Sequence, residues 1–444
     1  MSISLKRVLL VSGKAMQENL YREVIIKHQL ERHGVEVRWI IPSRALNKAS
    51  SLDDIENDPV FKREGAIRVD GEWQFRKQMR GSQMVVFSTW RSYLALTRMA
   101  QAEGRATINF CATSGIDHWT HGVERCLIRS RFTHRLLEHE AATMGLSLPP
   151  SDQIRIVGSI QYEYPKDLQP TSFRDRDHFC HHYGLDPRRP IAVLFPKGIQ
   201  SFHKKVALWH PDWTQQQVDH YNQWFLDKYG EICHKARESA CNLLIKMHPS
   251  AYVAYNCSSE FEKQYWHHYP WAKVVEAGHT QAMFDYADVG LGINTHASLD
   301  MGYFRKPFIY VDSDIKPPPN LPAFDNIKLG TLTPGPSSHW HSQPLIVNPW
   351  FRSWLGAFSR AEDLSALLAD PKSLLPIEQA DWEMFVEEYW GLGDNRASER
   401  IVAEILAFGE ETLSSRSRKM SWSYWRGFFW DWVSRLQGQY TWHS

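Results

Sequence analysis

The stretch from Asp288 to Val311, reading DVGLGINTHASLDMGYFRKPFIYV, leaves the chain few folds to choose from. Val289 to Ile293 is an apolar run too brief for a helix, and it predicts a buried parallel strand that stops at Asn294. A polar turn comes next. Asn294, Thr295, His296 and Ser298 then stand at the mouth of a helix expected to reach about Arg305, where Lys306-Pro307 halts it and Phe308 to Val311 opens another strand. Strand, turn, helix and strand in this order are the unit of a parallel α/β sheet. A helix start offers unpaired N–H groups and partial positive charge, which suit a phosphate, and Asp300 in the first turn is placed to accept from a ribose hydroxyl. An ordinary helix cap with a first-turn acid uses the same residue types.

The amino-terminal region repeats the pattern. Arg7 to Val11 reads as a strand, Ser12-Gly13-Lys14 as a turn, and Gln17 to His33 as a helix closed by Gly34 before a second strand, Val35 to Ile41. This opens a doubly wound domain. The turn holds one glycine, so it is neither a Gly-x-Gly-x-x-Gly fingerprint nor a Walker loop, and Ser12, Gly13 and Lys14 stand as candidate phosphate contacts or as plain packing. Asn47 to Lys77 reads as an irregular surface excursion. Met84 to Ser88 and Ala106 to Phe110 are further strands around a helix over Ser92 to Glu103, and Ile154 to Val157 is a closing strand. The polar loop Cys111 to Gly122 follows a strand end, where ligands gather in open α/β sheets, and it carries His118 and His121. No third ligand accompanies this His-x-x-His pair, so no metal is expected.

A second domain is expected to begin at Ile191 to Phe195, followed by Pro196-Lys197-Gly198, where Lys197 can hold a phosphate or remain a solvated charge. A long helix over Val218 to Ser239 leads to the strand Asn242 to Lys246, which ends at Met247-His248-Pro249-Ser250. A histidine beside a phosphate is held cationic and donates a charge-assisted hydrogen bond. The 444 residues suffice for two such domains. With 51 basic and 50 acidic residues, the near-neutral balance argues against a nucleic-acid binder. Six scattered cysteines without a Cys-x-x-Cys pair fit reduced thiols. Lys6 and Arg7 precede only a short apolar run, so no secretory leader is expected, and no stretch approaches the roughly 18 apolar residues of a spanning helix. A cytoplasmic location follows as the expectation.

Three motifs carry a family resemblance. Asn294-Thr295 with Asp300 and Lys306-Pro307, His248-Pro249 at a strand end, and the ending Gly393-Asp394-Asn395 with Ala397-Ser398-x-Arg400 resemble those of bacterial capsule and teichoic-acid transferases of the GT-B fold, the CDP-glycerol glycerophosphotransferase-like and capsule polysaccharide transferase families. His121-Gly122 is similar to the end of that group's Trp-His-Gly loop, with Thr120 in place of the tryptophan. The resemblance implies an α/β, GT-B architecture: two Rossmann-like doubly wound domains facing a cleft, with a C-terminal helix returning to the first domain. It implies a transferase moving a glycosyl or glycerophosphoryl group from a cytidine-nucleotide donor, CDP-glycerol or a CMP-sugar, to a polysaccharide or lipid-linked acceptor, without a metal or other cofactor. His121, or His118, would be the base, and His248 and Thr295 would stabilise the departing phosphate with neighbouring N–H groups.

The expected boundaries are 1–165 for the acceptor domain, 190–375 for the donor domain, 376–412 for the returning helix and 413–444 for a Trp/Arg-rich amphipathic tail. In that tail Trp422, Trp425, Phe429, Trp432, Val433 and Leu436 recur at helical spacing among Arg416, Arg418, Lys419, Arg426 and Arg435, which predicts a helix lying on an anionic membrane or docked on protein. The protein is therefore expected on the inner face of the cell membrane. Two other readings remain open, a UDP-N-acetylglucosamine 2-epimerase-like enzyme and a non-catalytic scaffold of a polysaccharide assembly complex.

Overall fold

The structure is a computed structural model that describes residues 4–12, 17–43, 46, 59–88, 94–110, 122–134, 137–138, 150–163, 173–196, 198–199, 203, 213–248, 259–275, 280–293, 295, 297–311, 356–359, 361–374 and 379–416. The chain divides into two compact units, Met1–Gln169 with Val386–Ser444, and Pro170–Phe385. Each is built around one fully parallel sheet.

In the first unit the strands are β1 (Arg7–Ser12), β2 (Glu36–Pro42), β3 (Ile67–Val69), β4 (Met84–Ser88), β5 (Ala106–Phe110), β6 (Arg125–Ile128) and β7 (Ile154–Ile156). They lie in the order β3-β2-β1-β4-β5-β6-β7. The uninterrupted apolar run of β1 follows from burial on both faces. Val8 and Leu10 enter one core with the Gln17–Arg32 helix, while Leu9 and Val11 enter another with Phe75, Leu96 and Met99. Strand order reverses between β1 and β4, where Ser12 pairs with Ser88.

The region read as an irregular excursion is more ordered than its composition implies. Residues 47–58 lie outside the described set, but Pro59–Arg63 is helical, β3 adds to the sheet edge beside β2, and Glu72–Met79 is a helix that buries Phe75 and Met79. Those two side chains are four apart and anchor one helical face. The polar remainder, including Trp73 at 70% exposure, hid that face from a composition-based reading.

The second unit holds β8 (Ile191–Leu194), β9 (Asn242–Lys246), β10 (Ala272–Val275), β11 (Val289–Gly292), β12 (Phe308–Val311) and β13 (Gly356–Ser359), in the order β10-β9-β8-β11-β12-β13. Both sheets are doubly wound as expected. The Gln215–Glu238 helix covers one face of the second sheet, and it starts at a capping box between Thr214 and Gln217. The Arg176–Tyr183 and Thr280–Tyr286 helices cover the other. At the amino edge Asp288 accepts from the Ile191 N–H at 2.8 Å and pairs with Arg176 at 2.7 Å, which ties the entering helix to the central strand.

The chain returns to the first unit through a helical run whose Gln379–Phe385 part belongs to the second unit and whose Val386–Trp390 part, wound as a π-helix, belongs to the first. The Ala397–Arg416 helix then packs on Gln17–Arg32, burying Ala397, Ile401, Val402, Ile405 and Phe408. This is the returning helix. At about 1.5–3 kcal/mol for each large apolar side chain buried, its docking is a main source of the first unit's stability. Its start is capped from a distance by Glu163, which accepts from the Ala397 N–H at 2.6 Å and the Ser398 N–H at 3.2 Å. Arg400 donates to the Val157 carbonyl at 2.7 Å and pairs with Asp394 at 2.8 Å, so Ala-Ser-x-Arg is a structural motif. Among the described residues no helix is long and apolar enough to cross a membrane.

Candidate functional site

Strand order in the second sheet reverses at β8, so the crevice beyond the carboxyl ends of β8 and β11 is where a doubly wound sheet receives ligands. Thr295 lies three residues past the end of β11, and His248, exposed, two past the end of β9. Gly292 fixes Thr295: a Cβ on Gly292 would stand 2.8 Å from Thr295 Cγ2 and 3.1 Å from the Phe308 ring. Gly290 is equally tight, 2.6 Å from Phe308 and 3.0 Å from Met301. The Gly-x-Gly of β11 thus lets the following helix and Phe308 lie against the strand.

Thr295 organises the turn. Its Oγ1 accepts from the Ala297 N–H at 3.4 Å, and its carbonyl accepts from the Ser298 hydroxyl at 2.8 Å. Ser298 is fully buried and its hydroxyl is committed to this turn. Asp300, 8% exposed, sits in the first turn of the Ala297–Tyr303 helix. Burial pushes the neighbouring Tyr310 phenol up, with the nearby Ser298 side chain acting the other way. The helix closes with Arg305 in the left-handed region at φ 55° and the Lys306 N–H on the Met301 carbonyl at 2.8 Å. Lys306 precedes β12, so it lies at the amino edge. Burial lowers its pKa, opposed by Asp288 and Asp285, and the Lys-Pro end of the motif serves to stop the helix.

Between β8 and the Gln215–Glu238 helix, helical His203 contributes a feature that sequence reading did not single out. His203 Nε2 lies 2.8 Å from Asp219 Oδ1 near the start of the Gln215–Glu238 helix, and Gln215 donates to the same oxygen at 2.8 Å. The Gln215 amide and then His203 hold the Asp219 carboxyl below its ordinary range. A histidine and an acid 16 residues apart, with no periodic pattern joining them, offer nothing to find in one sequence.

In the first unit Ser12 ends β1 and is buried. Its hydroxyl donates to Glu23 at 3.0 Å, and Trp39 Nε1 donates to the other Glu23 oxygen at 2.9 Å, so this serine is engaged with a buried carboxylate. Gly13, Lys14, His118, His121, Lys197, Asn294, His296 and the tail from 417 onward lie outside the described residues. Among the described residues no three His, Cys, Asp or Glu side chains converge as a metal site.

Two doubly wound parallel units, the first completed by a helix from the end of the chain, define the GT-B class of fold. Solved structures match it across both units. The wall teichoic acid polymerase TagF superposes with a TM-score of 0.54 at 12% identity, covering 92% of this chain and 90% of that one. A putative UDP-N-acetylglucosamine 2-epimerase from Listeria monocytogenes gives 0.51 at 10% identity, covering 92% and 98%. No protein-family model and no curated protein matches the chain.

Proposed function

We propose that this chain is a GT-B transferase that moves a glycosyl or glycerophosphoryl group from a cytidine nucleotide, CDP-glycerol or a CMP-sugar, to a cell-surface polysaccharide or teichoic-acid-like polymer. The observation that carries this reading is the grouping of Thr295, the buried Asp300 and His248 beyond the carboxyl ends of β11 and β9, on either side of β8. Support for the donor class comes from the motif resemblance and from a TagF structure soaked with CDPG, similar to this chain with a TM-score of 0.52 at 12% identity.

In this reading His121 or His118 takes the proton of the acceptor hydroxyl. The freed oxygen attacks the phosphorus or the anomeric carbon of the donor. A new bond forms there as the bond to the nucleotide oxygen breaks, and the leaving oxygen carries away the negative charge. His248, Lys197 and the Thr295 turn, with Asn294 and His296, offset that charge. Asp300 accepts from the ribose. The Trp/Arg-rich tail brings the enzyme to an anionic membrane face, where lipid-linked acceptors reside.

A thermal-shift comparison of CMP, CDP, UMP, UDP and GDP tests the reading, because a ligand that binds only the folded state stabilises it by about 2.7 kcal/mol at a hundred times its Kd. Cytidine nucleotides should give the largest shift. Stabilisation by UDP alone would favour the epimerase-like alternative, to be checked by incubation with UDP-N-acetylglucosamine. No shift with any nucleotide would leave the scaffold reading.

A further inference from the structure

The proposed chemistry leaves the His203–Asp219 pair unused. The His203 side chain is 38% exposed, and both of the ring's contacts lie on Nε2: Asp219 Oδ1 at 2.8 Å and Gln215 Nε2 at 3.4 Å. Among the described residues Nδ1 has no partner. Gln215 and then His203 hold the Asp219 carboxyl below its ordinary range, so it is ionised at neutral pH and can only accept. Nε2 therefore carries a proton, and Nδ1 is the nitrogen that gains or loses one. An exposed ion pair adds little to stability, because water and salt screen it. The same three groups are what a working imidazole needs: a carboxylate that fixes the tautomer and stabilises the protonated ring, and an amide that fixes the carboxylate.

The place of the pair follows from the crossover. β8 ends at Leu194, and the chain leaves it beside Gly292: the Phe195 N–H meets the Leu291 carbonyl at 3.0 Å, and the Phe195 carbonyl is 3.5 Å from where a Cβ on Gly292 would stand. Gly292 is where Thr295 is seated. On either side of His203 in the chain, Ile199 and Trp213 are buried in the core that also holds Met247 and Ile293, the residues just before His248 and the Asn294-Thr295 turn. Asp219 stands in the second turn of the Gln215–Glu238 helix, whose capped start lies at the carboxyl edge because the strand before it ends there. The pair thus belongs to the edge of the second unit that carries Thr295 and His248. Among the described residues Asp219 is the ion partner of the ring, and Lys204, Lys205 and His220 are the nearest ionisable neighbours of the pair along the chain.

We infer that His203, oriented by Asp219, recognises the pyrophosphate of a nucleoside-diphosphate donor, its Nδ1–H donating to a phosphate oxygen when the ring is protonated. The inference rests on the reading that this unit holds a nucleotide donor, and it narrows that reading to a donor with two phosphates rather than a CMP-sugar. The ring then lies between two anions, the carboxylate on Nε2 and the phosphate on Nδ1, and both favour its charged form. A pyrophosphate esterified at both ends has no ionisation of its own near neutral pH. Binding therefore takes up a proton wherever the free histidine is neutral, and affinity falls as pH rises.

The test measures binding of CDP-glycerol and cytidine to full-length wild type, His203→Gln, His248→Gln and Asp219→Asn by calorimetry from about pH 6 to about pH 8, the range in which histidine titrates, with melting temperatures alongside. Glutamine keeps an Nε2 donor for Asp219 and removes the titrating nitrogen. Wild type should bind CDP-glycerol about tenfold more tightly at the acid end, the gain of a charge-assisted hydrogen bond, and bind cytidine equally throughout. H203Q should melt and bind cytidine as wild type does, and lose a part of the pH dependence that H248Q retains. D219N should move the fall in affinity to lower pH and have no further effect when combined with H203Q. Wild-type affinity and pH dependence for CDP-glycerol in H203Q would overturn the inference. So would a lowered melting temperature with CDP-glycerol and cytidine weakened alike, the mark of a structural pair. If H203Q does not fold, D219N decides, and an unmoved pH dependence overturns the inference. UDP-N-acetylglucosamine, also a doubly esterified pyrophosphate, separates this from the donor reading. If wild type binds it through His203 and binds no cytidine nucleotide, the cytidine reading fails and the pyrophosphate contact stands. If wild type binds CMP alone, the cytidine reading stands and the inference falls; if it binds none of these ligands, both fall.

Discussion

Gly292→Ala asks whether the Thr295 turn is held by direct contact with its strand. The added Cβ would stand 2.8 Å from Thr295 Cγ2, 3.1 Å from the Phe308 ring and 3.5 Å from the Phe195 carbonyl. The first is closer than real Cβ contacts come, so Thr295 must move; the second asks the buried ring to give a few tenths of an ångström. Overpacking of this kind costs about 1–3 kcal/mol. Thr295→Ser removes Cγ2 and keeps the hydroxyl that caps Ala297, at a cost below the ~0.8 kcal/mol of a fully buried methylene because Thr295 is only half-buried. If the clash is with that methyl, the double variant is more stable than the two single costs predict. The coupling should reach at least ~0.5 kcal/mol, beyond the additivity expected of independent sites. Urea unfolding followed by tryptophan fluorescence measures all four proteins. A Gly292→Ala protein as stable as its parent, or costs that simply add, would refute the account of how Thr295 is positioned.

Three further outcomes are expected. Arg125→Ala removes a buried guanidinium that pairs with Glu404 at 3.3 Å and Glu411 at 2.7 Å and lies 4.5 Å from the centre of the Phe408 ring. Since Glu411 is largely exposed, the loss should be about 2–3 kcal/mol rather than that of a fully buried pair, read as a lowered urea midpoint. Burial raises the Glu163 carboxyl above its ordinary pKa, with hydrogen bonds from Ser398 and Ala397 pulling the other way. The folded state therefore takes up a proton more readily than the unfolded one, so this group's contribution to stability grows as pH falls through the carboxylate range and is lost as pH rises. The stability of Glu163→Gln relative to wild type should accordingly be greatest near neutral pH and decline in acid; thermal melts showing the opposite trend would contradict it. On the proposed function, His121→Ala, or His118→Ala if that residue is the base, should lower transferase turnover by roughly 10²–10⁴ while leaving the affinity for the proposed donor's CDP part unchanged.

The fold was legible where burial on both faces writes itself as an apolar run. Met84 to Ser88, Ala106 to Phe110, Asn242 to Lys246 and Phe308 to Val311 are strands over the very residues read as strands. It was illegible at the sheet edge, because three-residue β3 carries too short a pattern and the Glu72–Met79 helix shows only Phe75 and Met79 inward. At the site, strand ends located Thr295 and His248, but residue type alone did not separate a ligand contact from a packing group. Ser12 and Ser298 have hydroxyls turned to protein partners, which only coordinates reveal. Lys246 reads as the polar end of a strand, and its burial depends on which helices cover that face. The His203–Asp219 pair depends on two residues 16 apart in the chain coming together, which no local pattern encodes.

The five apolar side chains that the Ala397–Arg416 helix places in the first unit's core also set an order of events during synthesis. Pro170–Phe385 is contiguous, so all its strands have left the ribosome while the earlier unit still lacks a wall. Domains generally fold from the amino terminus as they emerge. Here the first sheet to be made is the last to be sealed, and until then its uncovered Leu20, Val24 and Ile108 side chains are surfaces on which a nascent chain can aggregate or a chaperone can hold.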